Sequence, residues 1–104
     1  MDTDRRIHRV EREIQHIVSS FLVSEGQGLL PGIVSVAEVS VSKDLRHAKI
    51  FLSYLGDETS REECIDVVED LRPEAQRRLA HSLATKFCPR LRFYVSRGSS
   101  LGLE

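Results

Sequence analysis

The sequence predicts an α+β fold: a two-layer domain in the order helix-strand-strand-helix-helix-strand, with a three-stranded sheet covered by helices on one face. Three observations lead there. Apolar residues at three- and four-residue steps fill the opening segment, two alternating apolar-polar segments flank a short polar turn, and a third alternating segment follows a long helical stretch. A chain of 104 residues is one domain. Its 40% hydrophobic and 30% charged residues, with six glycines and three prolines, are the composition of a packed core, not of a disordered segment. The net charge of -1 favours no class of partner, so only the distribution of charge is informative. One domain is expected over 1–97, followed by a flexible tail over 98–104 whose closing Leu103-Glu104 could be a cloning remnant.

Ile7, Val10, Ile14, Ile17, Val18, Phe21 and Leu22 share one face of a helix from about Asp4 to Ser24, which the glycines of Glu25-Gly26-Gln27-Gly28 and then Leu30-Pro31-Gly32 bring to an end. Ile33 to Ser42 lacks a helical period, and Ile33, Ala37, Val39 and Val41 are expected on one side of a strand. Ser42-Lys43-Asp44-Leu45 can reverse the chain, because Ser and Asp side chains bond local backbone groups. From Arg46 to Leu55, Ala48, Ile50, Leu52 and Tyr54 alternate with His47, Lys49, Phe51 and Ser53, which makes an antiparallel hairpin with one buried face.

Thr59 or Ser60 can cap the next helix, whose apolar face is Cys64, Val67, Val68 and Leu71. Pro73 lacks an N–H and clashes with the carbonyl four residues back, so a break or kink is expected near Leu71 to Glu74, with a new helix facing inward through Ala75, Leu79, Leu83 and Phe87. Pro89 is expected to stop that helix, and Leu91, Phe93 and Val95 then alternate with Arg92, Tyr94 and Ser96 in the third strand.

Catalytic chemistry finds little footing. His8, His16, His47 and His81 form no metal-binding or base-nucleophile pattern, and Cys64 and Cys88 lack partners at ligand spacing and read as small buried thiols. Gly26, Gly28 and Gly32 follow a helix, whereas a dinucleotide fingerprint follows a strand and opens a helix. No catalytic residue, metal or cofactor is therefore expected. The N-terminus has no signal-peptide pattern and no segment approaches a membrane span, so a soluble, cytoplasmic protein without membrane contact is expected, as a monomer.

Charge, by contrast, is segregated. Glu58, Glu62, Glu63, Asp66, Glu69 and Asp70 crowd the start of the second helix, where carboxylates complement the helix dipole, while Arg72, Arg77, Arg78, Lys86, Arg90, Arg92 and Arg97 face the single acid Glu74 over 72–97. Arg77, Arg78 and His81 lie off the Leu79 and Leu83 face and are free to meet phosphates. Arg5, Arg9, Arg12 and His16 form a second stripe, for which a solvated face with local pairs such as Arg9 with Glu13 is the alternative.

The predicted order of elements is that of a type II KH-like domain, although no Gly-x-x-Gly lies between its helices. Val41-Ser42-Lys43-Asp44-Leu45-Arg46-His47-Ala48-Lys49-Ile50-Phe51 resembles the hairpin signature of the bacterial ribosome-binding factor A family, in which Val-Ser-x-Asp-Leu precedes an Ala and a β-branched residue. Arg9-Val10 with Ile14, and Pro89-Arg90-Leu91-Arg92-Phe93 leading into the last strand, extend the resemblance over about 5–97. Leu30-Pro31-Gly32 stands where the family has Asp-Pro-Arg, and Leu71-Arg72-Pro73 where it has Ala-x-Gly. The resemblance implies a non-enzymatic assembly factor that binds the small (30S) ribosomal subunit and assists late maturation of its 16S rRNA, with importance in the cold. The competing reading is a stand-alone KH-like module that binds RNA or protein away from the ribosome. The expected phosphate contacts are Arg72, Arg77 and Arg78, joined by Arg46 and Lys49 of the hairpin and by Arg5, Arg9 and Arg12.

Overall fold

The structure is a computed structural model that describes residues 2–26, 28–83 and 88–97. Helix α1 spans Asp2–Glu25, strand β1 Ile33–Val41, strand β2 His47–Leu55, helix α2 Arg61–Ser82 and strand β3 Arg90–Arg97, with a 3-10 turn at Glu58–Ser60 before α2. The sheet order is β1-β2-β3. The β1–β2 hairpin is antiparallel and β3 joins β2 in parallel. A parallel neighbour cannot be reached by a tight turn, so α2 is the crossover that carries the chain back to the start of β3. Both helices lie on the same face of the sheet, where Ile14, Val18 and Phe21 of α1 and Cys64, Val68 and Leu79 of α2 close over Ala48, Ile50, Leu52, Leu91 and Phe93. The α+β architecture is thus the one read from the sequence, and the buried side of β2 is the expected one.

The turn between β1 and β2 shows how a short polar segment fixes the hairpin. Ser42 Oγ donates to Asp44 Oδ1 at 2.7 Å, the Arg46 N–H donates to the same oxygen at 3.1 Å, and the His47 N–H donates to Ser42 Oγ at 3.0 Å. These bonds hold Leu45 at a φ of 61°, a left-handed conformation that few residues without this support adopt. Further along, Tyr54 is buried and donates its hydroxyl to the Asp57 carbonyl at 2.6 Å. A Cβ at Gly32 would lie 2.6 Å from the Tyr54 ring, so the glycine of Leu30-Pro31-Gly32 is what lets the loop close over that ring.

Five expectations are corrected. Ile33 and Ala37 do not share a buried side with Val39 and Val41: the pairing slips between Val36 and Glu38, and Ile33 is 66% exposed while Val34 and Val36 pack on the core. One extra residue in a strand of period two exchanges its faces. Pro73 does not break the helix, which runs unbroken from Arg61 to Ser82. Cys64, Val68, Ala75 and Leu79 keep one apolar face in phase across the proline, and Pro73 and Glu69 are exposed, so water can take the carbonyl that the proline leaves unpaired. The helix ends at Ser82, well before Pro89, as Leu83 turns extended at φ -75° and ψ 135° while its side chain stays buried. Cys88 consequently belongs to the lead-in of β3 and is exposed, whereas Cys64 is buried as expected. Neither Thr59 nor Ser60 caps by its side chain; Asp57 accepts the Thr59 N–H and starts the 3-10 turn. Lys86, Phe87 and the 98–104 tail lie outside the described residues.

Candidate nucleic-acid interface

The three arginines of α2 expected to meet phosphates all have acidic neighbours. Arg72 Nε pairs with Glu69 at 3.3 Å, Arg77 pairs with Glu74, and Arg78 reaches Glu25 of α1 at 3.6 Å. Arg78 also lies over the Phe21 ring, 5.6 Å from its centroid, so this side chain ties α2 to α1 as well as carrying charge. Arg77 has the most exposed side chain of the three at 67% and only a same-helix partner, which solvent and salt weaken. On α1, Arg5, Arg9 and Arg12 are exposed, and Arg5 and Arg12 line a hollow with Glu11 and Glu38 beside the bulge of β1. Glu11 is spoken for: its Oε2 accepts the Val41 N–H at 2.9 Å and so satisfies a donor on the edge strand.

A different basic surface forms where β2 and β3 run in parallel. Register places His47 beside Arg90, Lys49 beside Arg92 and Phe51 beside Tyr94, all on the face away from the helices. His47, Lys49, Arg90 and Arg92 are exposed, and among the described residues none of the four has an acid within ion-pair distance. One hollow of this face is bounded by His47, Lys49, Arg90, Arg92 and Tyr94, and another on the β3 edge carries Arg72 and its partner Glu69 alongside Arg90 and Arg92. Arg46 joins from the hairpin turn, in a hollow shared with His47 and Arg90. Asp44 is in that hollow too, but its carboxylate is held below the usual range by the Ser42 hydroxyl and the Arg46 N–H, with the Arg46 and His47 charges adding to this.

The structure therefore gathers Arg46, Lys49 and Arg72 around Arg90 and Arg92, keeps Arg5 and Arg12 at the opposite edge of the sheet, and turns Arg78 toward α1. Arg90, Arg92 and Tyr94 are the residues that sequence reasoning passed over as site members. Their signal was present as the polar parity of the last strand, but only the parallel pairing with β2 sets them beside Lys49 and Phe51. Among the described residues, no group of three or more His, Cys, Asp or Glu could hold a metal ion, and no helix is long and apolar enough to cross a membrane.

Comparison with known proteins follows the same line as the fold. A ribosome-binding factor A from Bdellovibrio bacteriovorus is 40% identical over 104 residues, which cover 100% of this chain and 78% of that protein. The solution NMR structure of a Thermotoga maritima protein assigned as ribosome-binding factor A superposes with a TM-score of 0.68 at 28% identity, covering 86% of this chain and 85% of the other. Thermus thermophilus ribosome-binding factor A, in coordinates fitted into a map of a 30S complex, shares the fold at a TM-score of 0.58 and 19% identity, over 79% of this chain and 90% of its own. The family model for ribosome-binding factor A matches residues 6–101. With the hairpin turn, the crossover helix and the sheet order all in place, the chain belongs to the ribosome-binding factor A family.

Proposed function

We propose that the chain is a non-catalytic assembly factor that binds the small ribosomal subunit as a monomer and assists late maturation of its 16S rRNA. The observation that carries this is family membership over nearly the whole chain, joined to a physical one: in a protein of net charge -1, unpaired cations collect on one side of the sheet. A polyanion binds such a surface by releasing counterions, so the interaction weakens steeply with salt. Arg46, Lys49, Arg72 and Arg77 supply phosphate contacts in this reading, with Arg5, Arg9 and Arg12 as a separate patch and Arg78 contributing charge from its place against Phe21. The acidic start of α2 stays away from the RNA.

Sedimentation of tagged protein through a sucrose gradient tests the reading. Association with free small subunits, immature ones above all, in preference to large subunits and assembled ribosomes is the expected result. Equal association with all three would point to a general KH-like RNA module. Deletion of the gene without accumulation of small-subunit rRNA precursors, even in the cold, would remove the maturation role.

A further inference from the structure

The open face of the sheet carries two aromatic rings that the core does not use. Phe51 of β2 and Tyr94 of β3 stack with centroids 5.4 Å apart and an interplanar angle of 23°. Tyr94 is 40% exposed and Phe51 half-buried, and neither α1 nor α2 covers them. A cross-strand ring pair is by itself a sheet-stabilising device. What sets this one apart is its surroundings: Lys49 and Arg92 precede the rings on the same two strands, and His47 and Arg90 lie beyond those. Three acids border this face. Glu69 is paired with Arg72, Asp44 is bound within the hairpin turn, and Glu38 sits across from Phe51 on β1, away from the β3 arginines.

Cations at two-residue steps beside exposed, roughly parallel rings match the repeat of a nucleic-acid single strand, whose phosphates need the cations and whose bases need flat apolar partners. An acidic peptide would use the cations and leave the rings idle. A duplex would offer phosphates but keep its bases stacked within the helix. We propose that the β2–β3 face is a platform for unpaired RNA, with one or more bases stacking on Tyr94 and Phe51 while Lys49, Arg90 and Arg92 hold the backbone. The strand runs over β2 and β3 and leaves β1, where Glu38 would repel it. This inference rests on the RNA-binding part of the proposed function and is independent of the ribosome.

The chain has no tryptophan, so the emission of a Tyr94→Trp variant reports on that position alone. The variant is titrated with a single-stranded RNA of about ten nucleotides, with a duplex of the same length, and with polyglutamate. Quenching by the single strand, and much less by the other two, is the expected result. Tyr94→Leu, checked for a native circular dichroism spectrum, should bind a labelled single strand about 5- to 150-fold more weakly, the range for losing one stacked base, while Tyr94→Phe keeps affinity. Lys49→Ala with Arg92→Ala should lower the magnitude of the log-affinity against log-salt slope by about 0.7 per lost contact. Equal quenching by polyglutamate or duplex, or unchanged affinity in Tyr94→Leu, overturns the platform. Small-subunit sedimentation separates the two proposals: a Tyr94→Leu protein with unchanged affinity for single strands that still sediments with small subunits sinks only this one, and quenching of the Tyr94→Trp variant without small-subunit association sinks only the other.

Discussion

At the scale of single residues, the same side-chain type does different work according to what lies within reach. Arg77 and Arg78 are sequence neighbours, yet Arg77 pairs only with Glu74 of its own helix while Arg78 contacts Glu25 and the Phe21 ring of α1. Arg77→Ala should change stability by less than about 0.5 kcal/mol, and Arg78→Ala should cost about 1 kcal/mol, the sum of a weak cation–π contact and a solvent-screened ion pair. Urea unfolding of the two single variants measures the difference, and equal midpoints would contradict it. Asp44 gives a pH prediction. Its carboxyl titrates lower in the folded protein because Ser42 Oγ and the Arg46 N–H bond the charged form. The unfolded state therefore takes up its proton first as pH falls, so the Asp44 contribution is fully present above the ordinary carboxylate range and is lost as pH drops through the lowered value. Asp44→Asn removes that titration, and the stability gap between wild type and variant should narrow below about pH 4 while staying constant from about pH 5 to 7.

At the scale of elements, one side chain of α2 holds the start of β3. Gln76 donates to the Pro89 carbonyl and accepts the Leu91 N–H, both at 2.8 Å, and so fastens the start of β3 to the helix. Gln76→Ala leaves two partly buried backbone groups without their partner and should cost about 1 to 3 kcal/mol. Amide exchange should quicken first at Leu91, whereas uniform exchange across the sheet would mean that the bond is not local. Pro73 sits within α2 where a residue with an N–H could continue the ladder. Pro73→Ala should stabilise the protein by about 1 to 3 kcal/mol, read as a higher thermal midpoint, since a helix interior penalises proline by about 3 kcal/mol and the unfolded chain gains back only part of that in freedom. A lower midpoint would show that the proline is fitted to its surroundings.

At the scale of the molecule, one core serves both layers. Leu79 is fully buried in that core, where α2 closes over the sheet. Leu79→Ala should therefore destabilise the whole fold by about 2 to 5 kcal/mol in a single cooperative transition. Loss of α2 signal ahead of the sheet in far- and near-ultraviolet circular dichroism would contradict a shared core. The helices occupy one face of the sheet, which leaves the other free for a partner without exposing the core. That division explains how a protein with almost no net charge can still present a basic surface: the acids gather at the start of α2, while Lys49, Arg90 and Arg92 lie together on the sheet.

How much of this was legible depends on whether the signal is local. Periodicity of 3.6 and of 2 marks which residues leave water, so α1, the buried side of β2, the alternation of β3 and the two-layer architecture could all be taken from the sequence. The hairpin turn was legible as well, because Ser42 and Asp44 bond groups only a few residues away. The bulge at Ala37 was not, since an inserted residue declares itself only against the partner strand. Nor was the continuity of α2 through Pro73: the local penalty of a proline is visible in the chain, but the packing of Val68, Ala75 and Leu79 that outweighs it is not. Segregated charge pointed to a basic face from the sequence alone, and helical spacing put it on α2. Tertiary structure adds a second basic surface, because strand pairing sets side by side cations that lie far apart in the sequence. Glu69, Glu74 and Glu25 pair with Arg72, Arg77 and Arg78, whereas the parallel pairing of β2 with β3 sets Lys49, Arg90 and Arg92 side by side with no ion-pair partner among the described residues.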